Sequence, residues 1–245
     1  MNNKAILVTG AAKRVGAAIA RRLHQAGARL ALHYNSSERE ARALQSELNL
    51  QRAQSVILVK ADLLEIAGLA EIVKTCVEHF GSLDALVNNA STFYPTPVGA
   101  ISEQKWDELV GANLKAPLFL CQAAAPHLRK SAGCIVNITD IHAEQPLKNY
   151  VVYTVAKAGL AGLTRSLARE LGPEVRVNGV APGAILWPED GSFDEVARQR
   201  VISHTALKRV GEPEDIARAV YYLIAEAPYV TGQIIAIDGG RSVTL

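Results

Sequence analysis

Short apolar runs alternate with stretches of helical period from one end of the chain to the other. Runs of strand type fall at 5–8, 29–33, 55–59, 85–87, 134–138, 176–180 and 234–237. They are apolar nearly throughout rather than alternating, as strands buried on both faces of a parallel sheet are. Amphipathic segments lie between them. One follows Gly16 and sets Ile19 four residues before Leu23. A second starts at a Ser36-Ser37 cap and runs through Leu44 and Leu48. A third carries Leu160, Leu163, Leu167 and Leu171 on one stripe. Strand and helix in alternation predict an α/β fold, a doubly wound parallel sheet of about seven strands in a single domain spanning 1–245. No repeat, low-complexity tract or linker interrupts the pattern. The one irregular stretch, from Pro182 to Phe193 and on toward 205, is expected to be a substrate loop.

Composition narrows the function classes. A chain of 245 residues with 49% hydrophobic and 20% charged positions builds a core without staples. A net charge of +2 gives no field for a nucleic-acid backbone or an anionic membrane, so neither partner is expected. Aromatics, at 5%, are too few for a base-stacking surface. No apolar run approaches the ~18 residues of a membrane span, and Ala5 to Val8 is far shorter than a secretory core. Cys76, Cys121 and Cys134 are odd in number and lack metal spacing, so buried, reduced thiols in a cytosolic protein are expected. No metal site is expected among the six histidines. His142-x-Glu144 has no Pro-Cys-x-x-Cys after it, which excludes a zinc deaminase.

Candidate chemistry begins at Thr9-Gly10-Ala11-Ala12-Lys13-Arg14-Val15-Gly16, where the first strand run hands over to a helix. Gly10 permits a tight turn, Gly16 lets the helix lie close to the sheet, and Ala11 and Ala12 leave the backbone accessible. A helix starting here points unpaired N–H groups at a pyrophosphate. The spacing is not a strict G-x-G-x-x-G, but its place at the first strand-to-helix turn is that of a dinucleotide site on a Rossmann-like fold. An ordinary glycine-rich turn is the plain alternative. The second strand run ends His33-Tyr34-Asn35-Ser36-Ser37, with no acid before Glu38. An NAD site places an acid about 20 residues past the glycines. Hydrogen-bond donors stand here instead, with Lys13 and Arg14 back in the turn, so the expected cofactor is NADPH. Ser36 and Ser37 can equally cap the next helix.

Further along stand Asp62, Asn88-Asn89-Ala90, Asn113, Tyr153-x-x-x-Lys157, Pro182-Gly183 and Asp238-Gly239-Gly240, in that order. With the glycine turn, this ordered set resembles the short-chain dehydrogenases/reductases over nearly the whole chain. Arg14 stands where most members have Gly, and Asp140 where most have Ser, thirteen residues before the tyrosine. Together with His33-Tyr34, Ser91-x-Phe93-Tyr94-Pro95-Thr96-Pro97 and Gln145-Pro146, these departures resemble the pteridine reductases. The resemblance implies NADPH-dependent reduction of a dihydropterin, such as dihydrobiopterin or dihydromonapterin, or of dihydrofolate, to the tetrahydro form. It assigns Asp140, Tyr153 and Lys157 to catalysis. It assigns to the cofactor Gly10, Val15, Gly16, Leu63, Asn89, Ala90, Ser91 and Thr139, with Pro182, Gly183, Ile185 and Leu186 beside the nicotinamide, Tyr153 and Lys157 at the nicotinamide end, where Lys157 holds the ribose, and Asp62 at the adenine. It gives the pterin Arg14, Ser91, Phe93, Asp140, Tyr153, Leu186 and Trp187, with Pro188 lining the same pocket. Asn113 would position backbone or a relay water, and α-helical packing around Tyr153 and the C-terminal region would assemble a homotetramer. One departure remains: only a short connection separates the Phe93 stretch from Trp106, where pteridine reductases often carry a longer segment.

Tyr153 and Lys157 are four apart and share a helix face. A free phenol has a pKa near 10. A neighbouring ammonium is expected to lower it toward the operating pH of a general acid, a role worth about 10²–10⁴ in rate. A carbonyl reductase uses a hydroxyl at position 140. A pterin instead offers ring nitrogens that take a proton as hydride reaches the adjacent carbon, and a carboxyl beside Tyr153 can relay it. Plainer readings stand beside these: Asp140 as a cap, Phe93 as core packing, Trp187 as a core or subunit contact rather than a lid, Arg14 as a phosphate contact alone. Two rival functions stand as well, a 3-oxoacyl-thioester reductase on the same fold and a non-catalytic NADPH sensor.

Overall fold

In a computed structural model describing residues 1–187 and 194–244, seven strands form one parallel sheet. They are β1 (Ala5–Val8), β2 (Arg29–Tyr34), β3 (Val56–Lys60), β4 (Ala85–Asn88), β5 (Cys134–Ile138), β6 (Arg176–Pro182) and β7 (Ile234–Ile237). Their order is β3-β2-β1-β4-β5-β6-β7. The seven apolar runs are these strands. β2, β3 and β4 each end one residue later than hydropathy indicates, and β6 ends two later. Pairing explains the extensions: Tyr34 pairs with Lys60, Asn88 with Asn137 and Pro182 with Ile237, so ladder bonds carry polar residues into the sheet.

Among the described residues eight α-helices accompany the sheet: α1 (Arg14–Gln25), α2 (Glu38–Gln51), α3 (Leu69–Phe80), α4 (Glu103–Val110), α5 (Ala116–Ser131), α6 (Val151–Leu171), α7 (Glu195–Ser203) and α8 (Pro213–Ala225). Alternate strand residues point to opposite faces. Ile6 and Val8 join Ile19 and Leu23 of α1, Leu44 and Leu48 of α2, and Val220 of α8 in one core. Ala5 and Leu7 join Ile72 of α3, Leu120 of α5 and Leu171 of α6 in the other. The three cysteines are buried and unpaired.

Three local expectations change. Ser37 is the N-cap residue of α2, but its side chain makes no capping bond. On α6, Leu160 and Leu171 are buried while Leu163 and Leu167 are half-buried. The buried stripe runs instead through Tyr153, Lys157, Leu160, Thr164, Ala168 and Leu171, because small residues let the helix approach the sheet. The stretch expected to be a loop contains α7; residues 188–193, with Pro188 and Phe193, lie outside the described residues.

The chain leaves β1 toward β2 on one side and continues from β4 toward β5 on the other. This reversal opens a crevice at the carboxyl ends of β1 and β4, where ligands of such sheets bind. A buried polar ladder lies beneath it. The Asn88 amide donates to Asn137 Oδ1 at 2.8 Å, and the Asn137 amide donates to Thr164 Oγ1 at 2.9 Å. The ladder ties β4, β5 and α6 together under the crevice, so the residues just above it are fixed relative to one another.

Candidate active site

The crevice is a cavity of about 810 Å³. Every residue singled out for cofactor, substrate or catalysis lines it, apart from those outside the described residues and the supporting Asn113. Its floor is the turn after β1. Gly10 has φ +60°, and a Cβ there would lie 2.8 Å from Ala90 Cα. A Cβ on Gly16 would lie 2.2 Å from the Gly10 carbonyl oxygen and 2.7 Å from Asn89 Nδ2. Gly16 therefore makes room for the turn's own carbonyl and for Asn89, rather than only for the sheet. The Asn89 amide donates to the carbonyls of Thr9 and Gly10 at 2.9 and 3.0 Å. Thr9 Oγ1 accepts from the backbone of Asn89 and of Ala90, both at 3.0 Å.

Lys13 is the N-cap of α1, yet no side chain caps that helix and no acid lies in its first turn. Open N–H groups and the positive end of the helix dipole thus face the cavity. This suits a dinucleotide pyrophosphate.

At the end of β2 the structure corrects one assignment. His33 lines the cavity, but both its nitrogens are engaged: the Gly10 N–H donates to Nδ1 at 3.2 Å, and Nε2 faces the Ala61 carbonyl at 3.2 Å. Burial pushes its pKa down, so it stays neutral. His33 is a strut between the turn and the end of β3, not a free donor to a phosphate. Tyr34 packs on Ala12 and Ala41. Asn35 and Ser36 are exposed and line the cavity with Lys13 and Ser37. Glu38 is turned to Arg42 at 2.8 Å and Lys60 at 3.6 Å. Asp62 accepts from the Leu64 N–H at 2.9 Å, tightening the exit from β3 beside Leu63.

The far end holds the titratable groups. The Tyr153 hydroxyl donates to Asp140 Oδ2 at 2.7 Å, while Asp140 Oδ1 accepts from the His142 N–H at 2.8 Å. Asp140 is therefore both a cap and a partner of the phenol. Lys157 donates to the Ile138 carbonyl at 2.9 Å and stands 5.7 Å from the Tyr153 ring centroid. The expected lowering of the Tyr153 pKa is overturned. Burial first, then the charge and hydrogen bond of Asp140, push the phenol well above its ordinary value. Burial brings Lys157 down to about 8, against the pull of Asp140. The arrangement is a neutral phenol held by a carboxylate, beside a cation that titrates just above neutrality.

Phe93 is 37% exposed. It stacks on Tyr150 at 4.5 Å and 14°, and meets Tyr153 at 4.8 Å and 82°. Tyr150 carries no motif and escapes a sequence reading. The Ser91 hydroxyl donates to Asn113 Oδ1 at 2.7 Å, and the Asn113 amide donates to the carbonyls of Thr92 and Leu109 at 2.9 and 3.0 Å. Asn113, buried in a π-helical turn at Gly111–Lys115, thus positions the Ser91–Phe93 backbone.

Arg14, at φ +54°, spans from the turn to the loop after β6. It donates to the Leu186 carbonyl at 3.3 Å and twice to the Trp187 carbonyl, at 3.2 and 3.3 Å. Arg198 lies 5.6 Å over the Trp187 ring. Pro182 ends β6, and Gly183, whose Cβ would sit 2.7 Å from Asp238 Cβ, turns the chain into the wall made by Ile185 and Leu186. Thr139 is fixed through Oγ1 to the Val180 carbonyl at 3.0 Å. Leu147, Val201 and Arg241 also line the cavity. Leu147 and Val201 come from segments with no recognisable spacing, and Arg241 directly follows Asp238-Gly239-Gly240.

Gly16→Ala is expected to cost about 1–3 kcal/mol through overpacking of the turn, read as a fall in the thermal melting midpoint. An unchanged midpoint would mean that the Gly10 carbonyl and Asn89 relax without loss.

Comparison with known proteins agrees with this geometry. A sequence profile described as enoyl-(acyl carrier protein) reductase matches residues 10–242. Pteridine reductase 1 of Leishmania tarentolae is 38% identical, with 97% of this chain and 96% of the relative covered. The 3-oxoacyl-(acyl-carrier-protein) reductase FabG of Staphylococcus epidermidis is 35% identical, with 97% and 98% covered. That of Staphylococcus aureus is 34% identical, with 97% of each covered. The Leishmania alignment runs over 280 positions and the S. epidermidis alignment over 241, so the former relative carries inserted residues that this 245-residue chain lacks. With the profile spanning most of the chain and relatives this similar over nearly their full length, the chain belongs to the short-chain dehydrogenase/reductase family.

Proposed function

We propose that this oxidoreductase uses NADPH to reduce the pteridine ring of a dihydropterin to its tetrahydro form. The observation that carries the reading is the 2.7 Å hydrogen bond from Tyr153 to a carboxylate, Asp140, at a position where a carbonyl reductase uses a hydroxyl. A reduced nicotinamide held beside Gly183, Ile185 and Lys157 would supply hydride to a ring carbon. The adjacent ring nitrogen takes a proton, so a C=N bond becomes CH–NH. Tyr153 is the donor of that proton. While Asp140 accepts the phenol hydrogen, Tyr153 holds it tightly. A ring nitrogen that replaces Asp140 as acceptor removes this hold, and the Lys157 ammonium stabilises the phenolate that remains. Asp140, 2.7 Å from the phenol in the open cavity, is placed to take up a proton from solvent and pass it to the phenolate, restoring Tyr153. Phe93 offers its ring to the flat heterocycle, and its stack on Tyr150 fixes its orientation.

The preference for NADPH over NADH is supported by the rim of exposed Asn35 and Ser36 with Lys13, and by the diversion of Glu38 to Arg42 and Lys60. A cytosolic homotetramer belongs to the same reading; the exposed Trp106 of α4 and Val155 of α6 suit subunit contact. A second reading, 3-oxoacyl-thioester reduction, is favoured by the near-equal length of the FabG relatives.

A rate panel separates the two. NADPH oxidation is expected with dihydrobiopterin, dihydromonapterin or dihydrofolate and not with an acetoacetyl thioester; the converse result selects the second reading. Tyr153→Phe should lower kcat by about 10²–10⁴ while leaving NADPH affinity, measured by fluorescence titration, nearly unchanged. The pH profile has a defined sign. Lys157 keeps its charge below about 8 and loses it above, whereas Tyr153 stays protonated throughout. kcat/KM for the pterin should therefore fall as pH rises through about 8, and Lys157→Met should remove that limb. Asn35→Asp should raise the KM for NADPH far more than that for NADH, because its carboxylate would repel a 2′-phosphate; equal changes would place the phosphate elsewhere.

A further inference from the structure

The catalytic end of the cavity holds a cation that the proposed chemistry leaves unused. Arg241 follows Gly240 in the C-terminal turn, is half-buried and lines the cavity beside Val201. Its Nη1 donates to the Val201 carbonyl at 3.0 Å. The two carboxylates nearest it in charge are already committed. Asp238 accepts from the backbone of Gly240 at 2.9 Å and of Ser242 at 2.7 Å. Asp140 accepts from Tyr153 and His142. Among the described residues the guanidinium forms no ion pair, and Val201 is its one hydrogen-bond acceptor. A guanidinium carries five N–H donors in a planar fork. Partial burial without a matched acceptor costs solvation, and the group that fits the fork best is a carboxylate taken bidentately. The cofactor phosphates would have their own cation at the opposite end, where Lys13 stands at the N-cap position of α1 with Glu40 of α2 as its neighbour in charge. Arg241 lines the same cavity as Asp140 and feels its charge, so its remaining donors belong to the substrate end of the site.

We propose that Arg241 is a specificity-determining residue that selects pteridines whose side chain ends in a carboxylate, dihydrofolate-like substrates, over those with a neutral side chain. The inference rests on the pteridine reading. Arg241 contributes to binding and not to the proton or hydride steps, so its effect belongs in KM.

The test compares dihydrofolate with dihydrobiopterin in the full-length enzyme, Arg241→Met and Arg241→Lys. Arg241→Met should raise the KM for dihydrofolate about tenfold or more and leave kcat, and the KM values for dihydrobiopterin and NADPH, within about twofold. Arg241→Lys should fall between, since it keeps the charge but loses the fork. The free tail, p-aminobenzoylglutamate, should inhibit the wild-type enzyme competitively against dihydrofolate and inhibit Arg241→Met weakly. Equal KM changes for both pterins, or none, would overturn the proposal and leave the pteridine reading standing. Failure of the wild-type enzyme to reduce either pterin would overturn both. The methionine variant may be replaced by the lysine one if it fails to fold, because the lysine variant's ratio of the two KM values answers the same question.

Discussion

Asn89 is the joint on which the site depends. Its carboxamide spans the gap where β1 and β4 part company, donating to the carbonyls of Thr9 and Gly10. Those carbonyls belong to a turn that has left the ladder, and without a donor their desolvation would cost about 1–3 kcal/mol each. The same joint dictates glycine at two places. Gly10 must approach Ala90, and Gly16 must leave space for both the Gly10 carbonyl and the Asn89 amide. Once these are met, α1 begins with uncapped N–H groups directed into the crevice. Strand order, turn and anion cradle are thus one constraint expressed three ways.

The opposite end of the cavity is governed by burial. Lys157 and Tyr153 sit where water is scarce, and each is driven toward its neutral form. Asp140 raises both pKa values, adding to burial for the phenol and opposing it for the ammonium. The pair is held in register by the polar ladder of Asn88, Asn137 and Thr164, which fixes α6 against β4 and β5. A general acid with a displaceable partner is consistent with the proposed role, since substrate entry itself would alter its readiness to give up a proton.

The sheet was legible because buried parallel strands must be apolar on both faces, and seven such runs stand clear of helical periodicity. The glycine turn, Asp140, Tyr153 and Lys157 were legible because backbone geometry and proton chemistry demand particular residue types at fixed offsets. What stayed hidden obeys no such offset. Tyr150 matters through a stack on a loop residue, Phe93. Val201 and Arg241 reach the cavity only after α7 and the C-terminal turn pack together. A sequence shows His33 as a donor but not that the fold has already engaged both of its nitrogens. Spacing shows Lys157 on the same helix face as Tyr153 but conceals that the phenol is buried and that Asp140 lies against it, which together raise its pKa.

The choice of aspartate at position 140 is not explained by folding alone. Its Oδ1 caps the short turn that follows β5, and a serine hydroxyl would cap that turn as well. Only a carboxylate has a second oxygen left over, and here that oxygen takes the phenol hydrogen. Keeping a buried acceptor against Tyr153 makes the tyrosine a poorer acid in the empty site, a cost that a carbonyl reductase has no reason to bear. It suits a substrate whose own ring nitrogens compete for the same hydrogen bond, because the acid is then released only when such a ring is in place. On the pteridine reading proposed above, recognition of the ring and release of the proton are thereby coupled.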